Sequence, residues 1–277
     1  MSPKSILITG CSSGIGRCCA VALQRRGYRV FATARKEPDI KLLHSEGIPA
    51  LYLDYTESVS IQEAFTEVMR ETGGSLYALF NNGAYGQPGA VEDLTRDVLR
   101  SQFEANLFGW HELTQLAVAA MRRRGEGRII HNSSILGFAA MSYRGAYNAS
   151  KFALEGLADT QRLELHGSGI HISLIEPGPV RSRFRANAYR KFIDNIDTER
   201  IVHRHTYGKI TARLQKQGDA APFTLPPVAV LKRVILALES KRPKIRYYVT
   251  APTYLIGYLK RILSSRQLDR LLSSIDK

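Results

Sequence analysis

A phenol and an ammonium group lie four residues apart in the segment Tyr147-Asn148-Ala149-Ser150-Lys151. On a helix, such residues share a face and are separated by about 6 Å along the axis. A free phenol has a pKa near ~10, and a nearby positive charge favours the phenolate. If that pKa fell by about 3 units, which requires roughly 4 kcal/mol, Tyr147 would exchange protons with a carbonyl or alcohol oxygen near pH 7. Ser134 is placed upstream to hold the same oxygen. An isolated Tyr–Lys pair is more often a solvated helix face, so the surrounding elements decide between these interpretations.

The composition is that of a globular protein that is large enough for a full core. The chain has 277 residues, of which 44% are hydrophobic and 23% charged. Its three cysteines fall within the first twenty residues and lack the paired spacing of a zinc site, so we expect a reducing, cytoplasmic location and no metal centre. The net charge of +14 favours anionic partners such as a phosphorylated cofactor, nucleic acid or anionic lipid, with a solvated basic surface as the alternative.

Strand and helix patterns alternate along most of the chain. Such alternation predicts an α/β fold with a doubly wound parallel sheet of about seven strands between two helical layers. No linker divides the chain, so we expect a single domain over 1–277. The predicted strands cover 5–9, 28–33, 50–53, 76–80, 128–132, 170–175 and 246–249. The predicted helices cover about 17–26, 58–70, 91–103, 107–124, 146–166 and 228–239.

A glycine-rich turn joins the first strand to the first helix. Its glycines are Gly10, Gly14 and Gly16. Glycine lets the backbone approach a pyrophosphate, and the N-terminus of the following helix offers N–H groups and a positive dipole end. The spacing differs from the G-x-G-x-x-G fingerprint, but the turn occupies the same place, so the sequence predicts a dinucleotide site there.

The end of the second strand predicts which dinucleotide binds. An acid at this position would bind the ribose hydroxyls, but the chain reads Thr33-Ala34-Arg35-Lys36. Arg35 suits a 2′-phosphate because its guanidinium is a planar, bidentate donor, so the sequence favours NADP(H). Asp54, just past the third strand, is placed to accept from the adenine amino group. Arg35 as a surface residue and Asp54 as a turn residue are the alternatives.

Taken together, these residues resemble the short-chain dehydrogenase/reductase family over about 4–250. The resemblance rests on motifs in the family's order: Thr9-Gly10-x-x-x-Gly14-Ile15-Gly16, Asp54, Asn81-Asn82, Asn106, Ser134, Tyr147-x-x-x-Lys151 and Pro177-Gly178. It implies a Rossmann-type fold and an oxidoreductase that acts on CH–OH and C=O groups. It also implies that Tyr147 is the general acid/base, that Lys151 lowers the pKa of Tyr147 and binds the nicotinamide ribose, and that Ser134 positions the substrate oxygen.

Further roles follow from the same resemblance. Asn106 would hold a water behind Lys151, and Ser182 would contact the nicotinamide carboxamide. We expect these cofactor-binding residues: Gly10, Ser12, Ser13, Gly14, Ile15, Gly16, Arg35, Asp54, Asn81, Tyr147, Lys151, Pro177, Gly178, Val180 and Ser182. One departure is Gly83-Ala84, where the family usually has Ala-Gly. Ala84 would shift this loop unless Gly83 compensates.

Two segments bear on the substrate. The loop 179–226 carries aromatic and aliphatic residues among many cations, which suggests a large apolar carbonyl compound or, alternatively, packing within a lid. The tail, about 252–277, has leucines and isoleucines at helical spacing among basic residues. It would either lie on an anionic membrane as a basic amphipathic helix or pack on the domain or on a partner subunit.

The sequence therefore predicts an NADP(H)-dependent enzyme that reduces a lipophilic aldehyde or ketone, similar to bacterial aldehyde reductases and to hydroxysteroid and retinol dehydrogenases. The alternatives are a non-catalytic NADP(H) sensor or scaffold on the same fold, and a nucleic-acid binder. Only the charge suggests the last, and because no dedicated motif appears, we expect no nucleic-acid partner. We expect a homodimer or homotetramer, and the tail leaves peripheral membrane contact open.

Overall fold

A fully parallel seven-stranded sheet forms the centre of the protein, which is described by a computed structural model at residues 3–198, 202–219 and 221–275. The strands are β1 (Ser5–Ile8), β2 (Arg29–Ala34), β3 (Ala50–Tyr52), β4 (Ala78–Asn81), β5 (Gly127–Asn132), β6 (Ile170–Glu176) and β7 (Arg246–Tyr248). Their order is β3-β2-β1-β4-β5-β6-β7, and each neighbouring pair runs parallel. The predicted fold class is confirmed.

Eleven α-helices connect or follow these strands in the described residues. They are α1 (Gly14–Arg25), α2 (Glu37–Ser45), α3 (Ser58–Glu71), α4 (Arg96–Phe103), α5 (Gly109–Arg124), α6 (Gly145–Glu164), α7 (Phe184–Asn195), α8 (Arg204–Gln215), α9 (Val228–Glu239), α10 (Ala251–Ile262) and α11 (Ser265–Ile275). Among the described residues, no helix is long and apolar enough to cross a bilayer.

The core lies on both faces of the sheet. Every residue of β1 is buried, as parallel strands covered on two sides require. Residues of α1, α2 and α9 pack on one face of the sheet, around Leu23, Leu43 and Val234. Residues of α3, α5 and α6 pack on the other, around Trp110 and Leu154. The two layers fix the strand order and so bring the strand ends to one edge.

The chain turns in opposite directions on the two sides of β1, which pairs with both β2 and β4. Ligands of open α/β sheets bind in the crevice beyond the carboxyl ends of the strands at such a point. The predicted site residues follow or end successive strands there: Gly10 after β1, Arg35 after β2, Asp54 after β3, Asn81 at the end of β4, Ser134 after β5 and Pro177 after β6.

The structure differs from the predicted helices at three places. The helix predicted over 91–103 is divided into a 3₁₀ turn, Val91–Asp93, and α4, which begins after Thr95 because Thr95 Oγ1 accepts a capping hydrogen bond from the Val98 amide at 3.3 Å. A π-helical turn, Glu104–Phe108, joins α4 to α5. The helix α2 was missed, because its buried positions, Ile40 and Leu43, are too few to show a clear period.

Candidate active site

Tyr147 and Ser134 meet at the carboxyl edge of the sheet. Tyr147 lies in the first turn of α6, and Ser134 follows β5. The Ser134 hydroxyl is close enough to the Tyr147 phenol to lower the pKa of that phenol. Ser134 Oγ also accepts from the Leu136 amide at 3.1 Å, which fixes its position at the start of a 3₁₀ turn, Ile135–Gly137. The arrangement can hold one oxygen atom between two hydroxyl groups.

Lys151 is fully buried one turn further along α6. Its Nζ donates to the backbone oxygen of Asn132 at 2.9 Å and lies 4.1 Å from the centroid of the Trp110 ring. The same nitrogen lies 5.7 Å from the centroid of the Tyr147 ring. The predicted shared helix face is therefore present, with the ammonium group beside the phenol ring.

The sequence predicted a lowered pKa for Tyr147, and this prediction was wrong for the protein in this structure. Burial raises the pKa of the Tyr147 phenol above its usual range, and the Ser134 hydroxyl lowers it only in part. Burial also lowers the pKa of Lys151 to about 7, while the negative charge of Glu155 raises it in part. Desolvation is the largest effect on both groups, because the charged form of each is disfavoured away from water.

The glycine-rich turn has the shape that a pyrophosphate requires. Gly10 and Gly14 have positive φ angles of 67° and 57°. A Cβ at Gly10 would lie 2.6 Å from the Gly83 Cα, and one at Gly16 would lie 2.3 Å from the Gly10 carbonyl oxygen. Ser13 precedes α1 with extended backbone and makes no side-chain cap within the described residues, so the first N–H groups of α1 suit an anion.

The departure at Gly83-Ala84 is accommodated locally. Gly83 is the residue that lies close to the glycine-rich turn. Its amide donates to Thr9 Oγ1 at 3.1 Å, and its carbonyl oxygen accepts from Trp110 Nε1 at 2.8 Å. Ala84 packs against the core instead. The Asn82 side chain fastens the same turn, because its Nδ2 donates to the Thr9 oxygen at 3.0 Å. Gly83 thus lies where its backbone comes close to the glycine-rich turn. This is the compensation for Ala84 that we expected.

Arg35 and Asp54 lie beside each other at the outer part of this edge. The Arg35 guanidinium is 3.4 Å from the Asp54 carboxylate and is largely exposed, which leaves it free to turn toward a phosphate. Asp54 Oδ1 accepts from the Thr56 amide and hydroxyl, both at 3.0 Å. Asp54 is therefore also a turn residue, as the alternative interpretation stated.

The side chain of Asn81 points into the core. Its Oδ1 accepts from the Tyr55 hydroxyl at 2.7 Å, and its Nδ2 donates to Thr114 Oγ1 at 2.9 Å. Both ends of the amide are therefore engaged within the protein. The prediction that Asn81 binds the cofactor needs correction for the side chain, because only backbone atoms of this residue remain for that contact.

Asn106 lies in the π-helical turn between α4 and α5. Its Nδ2 donates to the Tyr85 oxygen at 2.9 Å and to Ser150 Oγ at 3.3 Å, and its Oδ1 accepts from the Tyr85 amide at 3.3 Å. Ser150 directly precedes Lys151. The π turn thus brings Asn106 to the helix that carries Tyr147 and Lys151, and single π turns of this kind are frequent at functional sites.

The remaining predicted residues surround the same crevice. Pro177 accepts from the Ile135 amide at 2.9 Å, which ties the end of β6 to the turn after Ser134. Gly178 lies against Thr250, where a Cβ would be 2.3 Å from Thr250 Oγ1. Ser182 lies next to the glycine turn, since a Cβ on Gly14 would be 2.9 Å from that of Ser182. Three others fall at its margin: Ser12 in the turn, Ile15 against the core and Val180 in a bridge to Leu225.

The loop 179–226 is a helical lid made of α7 and α8, and it covers the site only in part. Phe184 packs edge-on against the Tyr147 ring, with 5.3 Å between the centroids. Phe192 and Tyr207, by contrast, are buried in a small cluster that the lid forms together with Ala90. For these two residues the packing alternative was right. Residues 199–201 and 220 of this loop lie outside the described residues.

The tail packs on the domain beside Tyr147. Ile256 of α10 and Leu272 of α11 are buried in a cluster with Ile135 and Leu136, and Leu268 and Tyr147 pack against it. The Nζ of Lys260 donates to the Phe138 carbonyl oxygen. The tail therefore forms an apolar wall of the site; the predicted last residues, 276 and 277, lie outside the described residues.

Comparison with known proteins identifies the family. A family model described as short chain dehydrogenase matches residues 4–191. The chain belongs to this family. An uncharacterized oxidoreductase of Escherichia coli, YbbO, is 41% identical over 97% of the chain and 94% of its own length. The NADPH-dependent 3-dehydrocapnine reductase of Ornithobacterium rhinotracheale is 30% identical over 96% and 94%. A crystal structure of a short-chain dehydrogenase from Streptomyces avermitilis is 28% identical, with a TM-score of 0.79 over 95% and 94%.

Sequence reasoning missed several residues of this short-chain dehydrogenase. Trp110 covers Lys151, and Asn132 accepts its hydrogen bond, but no pattern in the sequence links them to α6. Glu155 could have been found, because it lies four residues after Lys151 on the same helix face. The described residues contain no group of three side chains that would hold a metal ion.

Proposed function

We propose that the protein is an NADP(H)-dependent carbonyl reductase that acts on a lipophilic aldehyde or ketone, with alcohol oxidation as the reverse reaction. The observation that carries the proposal is the meeting of Ser134, Tyr147 and Lys151 at the strand edge that also bears the glycine turn. A non-catalytic nucleotide sensor would not need Ser134 beside Tyr147, so this placement does not support that alternative.

NADP(H) fits the residues present. The turn at Gly10, Gly14 and Gly16 leaves room for a backbone-bound pyrophosphate, and Arg35 offers a planar donor for the 2′-phosphate. No acidic residue lies between the end of β2 and Glu37, so no carboxylate there would repel the 2′-phosphate. The NADPH dependence named for the Ornithobacterium relative supports the same choice.

The residues of the chain supply the proton side of the reaction. NADPH, when bound, supplies the hydride that forms the new C–H bond. The Tyr147 hydroxyl gives its proton to the carbonyl oxygen, so the C=O π bond is replaced by C–H and O–H bonds and an alcohol leaves. Ser134 donates a hydrogen bond to that oxygen and holds it in place. Lys151 places a positive charge beside the phenolate that remains.

An assay of cofactor oxidation tests the proposal. NADPH and NADH oxidation would be followed with a panel of aldehydes, ketones, steroids and retinoids, and we expect turnover with NADPH. Tyr147→Phe should lose at least about 100-fold in kcat, the typical contribution of a positioned acid, while NADPH fluorescence still reports binding. Tyr258→Phe, on the exposed face of α10, is the matched control. Full activity of Tyr147→Phe would remove this residue from the mechanism.

The cofactor preference has its own test. Arg35→Ala should weaken NADPH binding by about tenfold or more, because one charge-assisted contact to a phosphate is lost. NADH binding should change little. Arg25→Ala, at the far end of α1, should leave both affinities unchanged. Equal loss of NADH and NADPH binding in Arg35→Ala would contradict the role in recognising the 2′-phosphate.

The apolar wall around Tyr147 supports a lipophilic substrate. Phe184 from the lid, Leu136 from the turn after β5, and Leu268 and Leu272 from α11 all pack at or beside the phenol ring. A carbonyl group held against Tyr147 would place its substituents among these side chains. We therefore expect kcat/KM to rise with the length of the alkyl chain in a series of aldehydes.

The outer face of α10 supports contact with an anionic membrane as a further part of this proposal. Leu255, Tyr258 and Ile262 are exposed at 59%, 59% and 79%, although the inner face of the same helix is buried. Lys260 and Arg261 flank these residues. Exposed apolar side chains bordered by cations are typical of a helix that lies at a membrane interface, and the wall of the site is the other side of the same tail.

Liposome co-sedimentation tests this contact with the full-length chain. Leu255→Glu combined with Ile262→Glu should reduce pelleting with anionic vesicles by at least about tenfold, because two side chains worth roughly 1.5–3 kcal/mol each are withheld from the lipid. Val59→Glu, an exposed position on α3, is the control. Equal pelleting of all three proteins would refute membrane contact.

We also propose that the protein is cytoplasmic and forms a homodimer or homotetramer. The cysteines Cys11, Cys18 and Cys19 are free thiols, which suits a reducing compartment.

The proposed oligomer is supported by exposed apolar side chains. Phe108 precedes α5, and Leu163 lies on α6; both leave apolar surface exposed, which a second copy would cover. Light scattering after size exclusion should give a mass at least twice that of the chain, and Leu163→Lys should lower it.

A further inference from the structure

A group of buried charged residues continues the catalytic face of α6. Beyond Tyr147 and Lys151, the same face carries Glu155 and Asp159, each one more turn along the helix. Glu155 is buried, and so is Glu176 at the end of β6. Buried carboxylates are rare unless they are paired, so their partners show what they do.

One guanidinium reaches all three carboxylates. Arg246 of β7 lies 3.1 Å from Glu155 Oε2, 2.7 Å from Asp159 Oδ2 and 3.2 Å from Glu176 Oε1. The other oxygen of Glu155, Oε1, accepts from the Ser133 hydroxyl. Glu155 is thus held from two sides, and one of its partners directly precedes Ser134 in the chain.

The charges of this group do not balance if every acid is ionised. Three carboxylates face one guanidinium, so one positive charge stands against up to three negative charges. Burial and the neighbouring Glu155 raise the pKa of Glu176 well above its usual range. Burial also raises the pKa of Glu155, but the hydrogen bond from Ser133 and the charge of Arg246 oppose this shift. Among the described residues, Glu155 has the Ser133 hydroxyl as a hydrogen-bond partner and Glu176 has none, so the ionised form is better stabilised at Glu155.

The charged and titratable groups around Lys151 leave Glu155 as its stabilising partner. On β5, burial and the charge of Lys151 lower the pKa of His131 to about 3, so this ring is neutral. On α6, burial keeps the Tyr147 phenol protonated. Glu155 is the group whose charge raises the pKa of Lys151 against burial.

We propose that Glu155 is a positioning residue of the active site: Ser133 and Arg246 hold its carboxylate one helical turn from Lys151, where its negative charge stabilises the lysine ammonium group. The proposal rests on the proposed function, in which Lys151 must be charged. Arg246 and the two glutamates then act on the reaction only through Lys151.

The pH profile of Glu155→Gln tests this role, because glutamine keeps the shape and removes the charge. NADPH-dependent reduction in the variant should decline at a pH about one unit lower than in the wild type, since an opposite charge at this range shifts a pKa by 1–3 units. The two proteins should agree near pH 5 and differ about tenfold near pH 8. Glu155→Asp should restore the wild-type profile in part.

Asp159→Asn is the matched control, because Asp159 contacts the same guanidinium one turn further from Lys151. It should lower the melting temperature without moving the pH profile. A purely structural role for Glu155 predicts the same behaviour for Glu155→Gln, so an unmoved profile in that variant would overturn the proposal. If Glu155→Gln does not fold, Ser133→Ala should move the profile in the same direction, and no movement there would overturn it too.

A direct titration separates this proposal from the proposed function. In protein labelled with ¹⁵N-lysine, the side-chain signal missing from Lys151→Met identifies Lys151, and its titration needs no substrate. Glu155→Gln should lower the titration midpoint even if no reductase activity were found. An unchanged midpoint would refute the positioning role, whereas a shifted midpoint without activity would refute the proposed function alone.

Discussion

Gly16→Ala probes the glycine turn most sharply. The new Cβ would lie 2.3 Å from the Gly10 carbonyl oxygen and 2.8 Å from the Gly10 carbonyl carbon, both backbone atoms. Relief to the ordinary contact range, which begins at 3.4 Å, moves the turn by about 1 Å. The Asn82 side chain cannot absorb this shift, because it is fastened to the Thr9 and Gly10 carbonyl oxygens.

The expected result is a large loss of NADPH affinity. A misplacement of about 1 Å in a binding geometry costs on the order of 100-fold, which corresponds to about 2.7 kcal/mol. Titration of NADPH fluorescence measures the Kd, and melting temperatures with and without NADPH show whether the variant is folded but binds poorly.

Gly156→Ala is the matched control, since Gly156 lies in the middle of α6 with no atom within 4 Å of a new Cβ. It should bind NADPH like the wild type and gain up to about 1 kcal/mol in stability from helix propensity. The reasoning would be refuted if Gly16→Ala bound NADPH within about threefold of Gly156→Ala.

Three further predictions follow from the site. Ser134→Ala should lower kcat by about 100-fold with little change in KM, because the substrate oxygen loses one of its two hydrogen-bond donors. Steady-state kinetics measure both constants, and a change confined to KM would contradict this role. Leu272→Ala should weaken the packing of α11 by about 2 kcal/mol. It should also raise KM for long-chain aldehydes more than for short ones, and equal changes for both would contradict the role of α11 as an apolar wall of the site. Glu176 has a raised pKa in the folded protein, so its contribution to stability is present at acid pH and declines as pH rises above about 4.5, by up to about 1.4 kcal/mol per unit. Glu176→Gln lacks this decline, so its melting temperature should exceed that of the wild type increasingly from about pH 5 to pH 8, and parallel curves would refute the assignment.

Local sequence patterns predicted the sheet because parallel strands are short apolar runs bounded by turns. The residues of β1, Ser5–Ile8, are followed by glycines that no other residue could replace in that turn, and the same logic found Tyr147 and Lys151 on α6. The lid helices α7 and α8 were not predicted, because their buried residues, such as Phe192 and Tyr207, pack with Ala90 in a small cluster that is separate from the main core.

The sequence by itself determined the fold class, the family and the grouping of Ser134, Tyr147 and Lys151, because each depends on residue types at fixed spacings along the chain. Only the tertiary structure decided which way the Asn81 amide points, that α11 packs beside Tyr147, and that Arg246 joins two buried glutamates behind Lys151. These features depend on side chains far apart in the chain. The same holds for the proton equilibria of Tyr147 and Lys151, because desolvation depends on everything that packs around a group, whereas spacing reports only its neighbours on one helix.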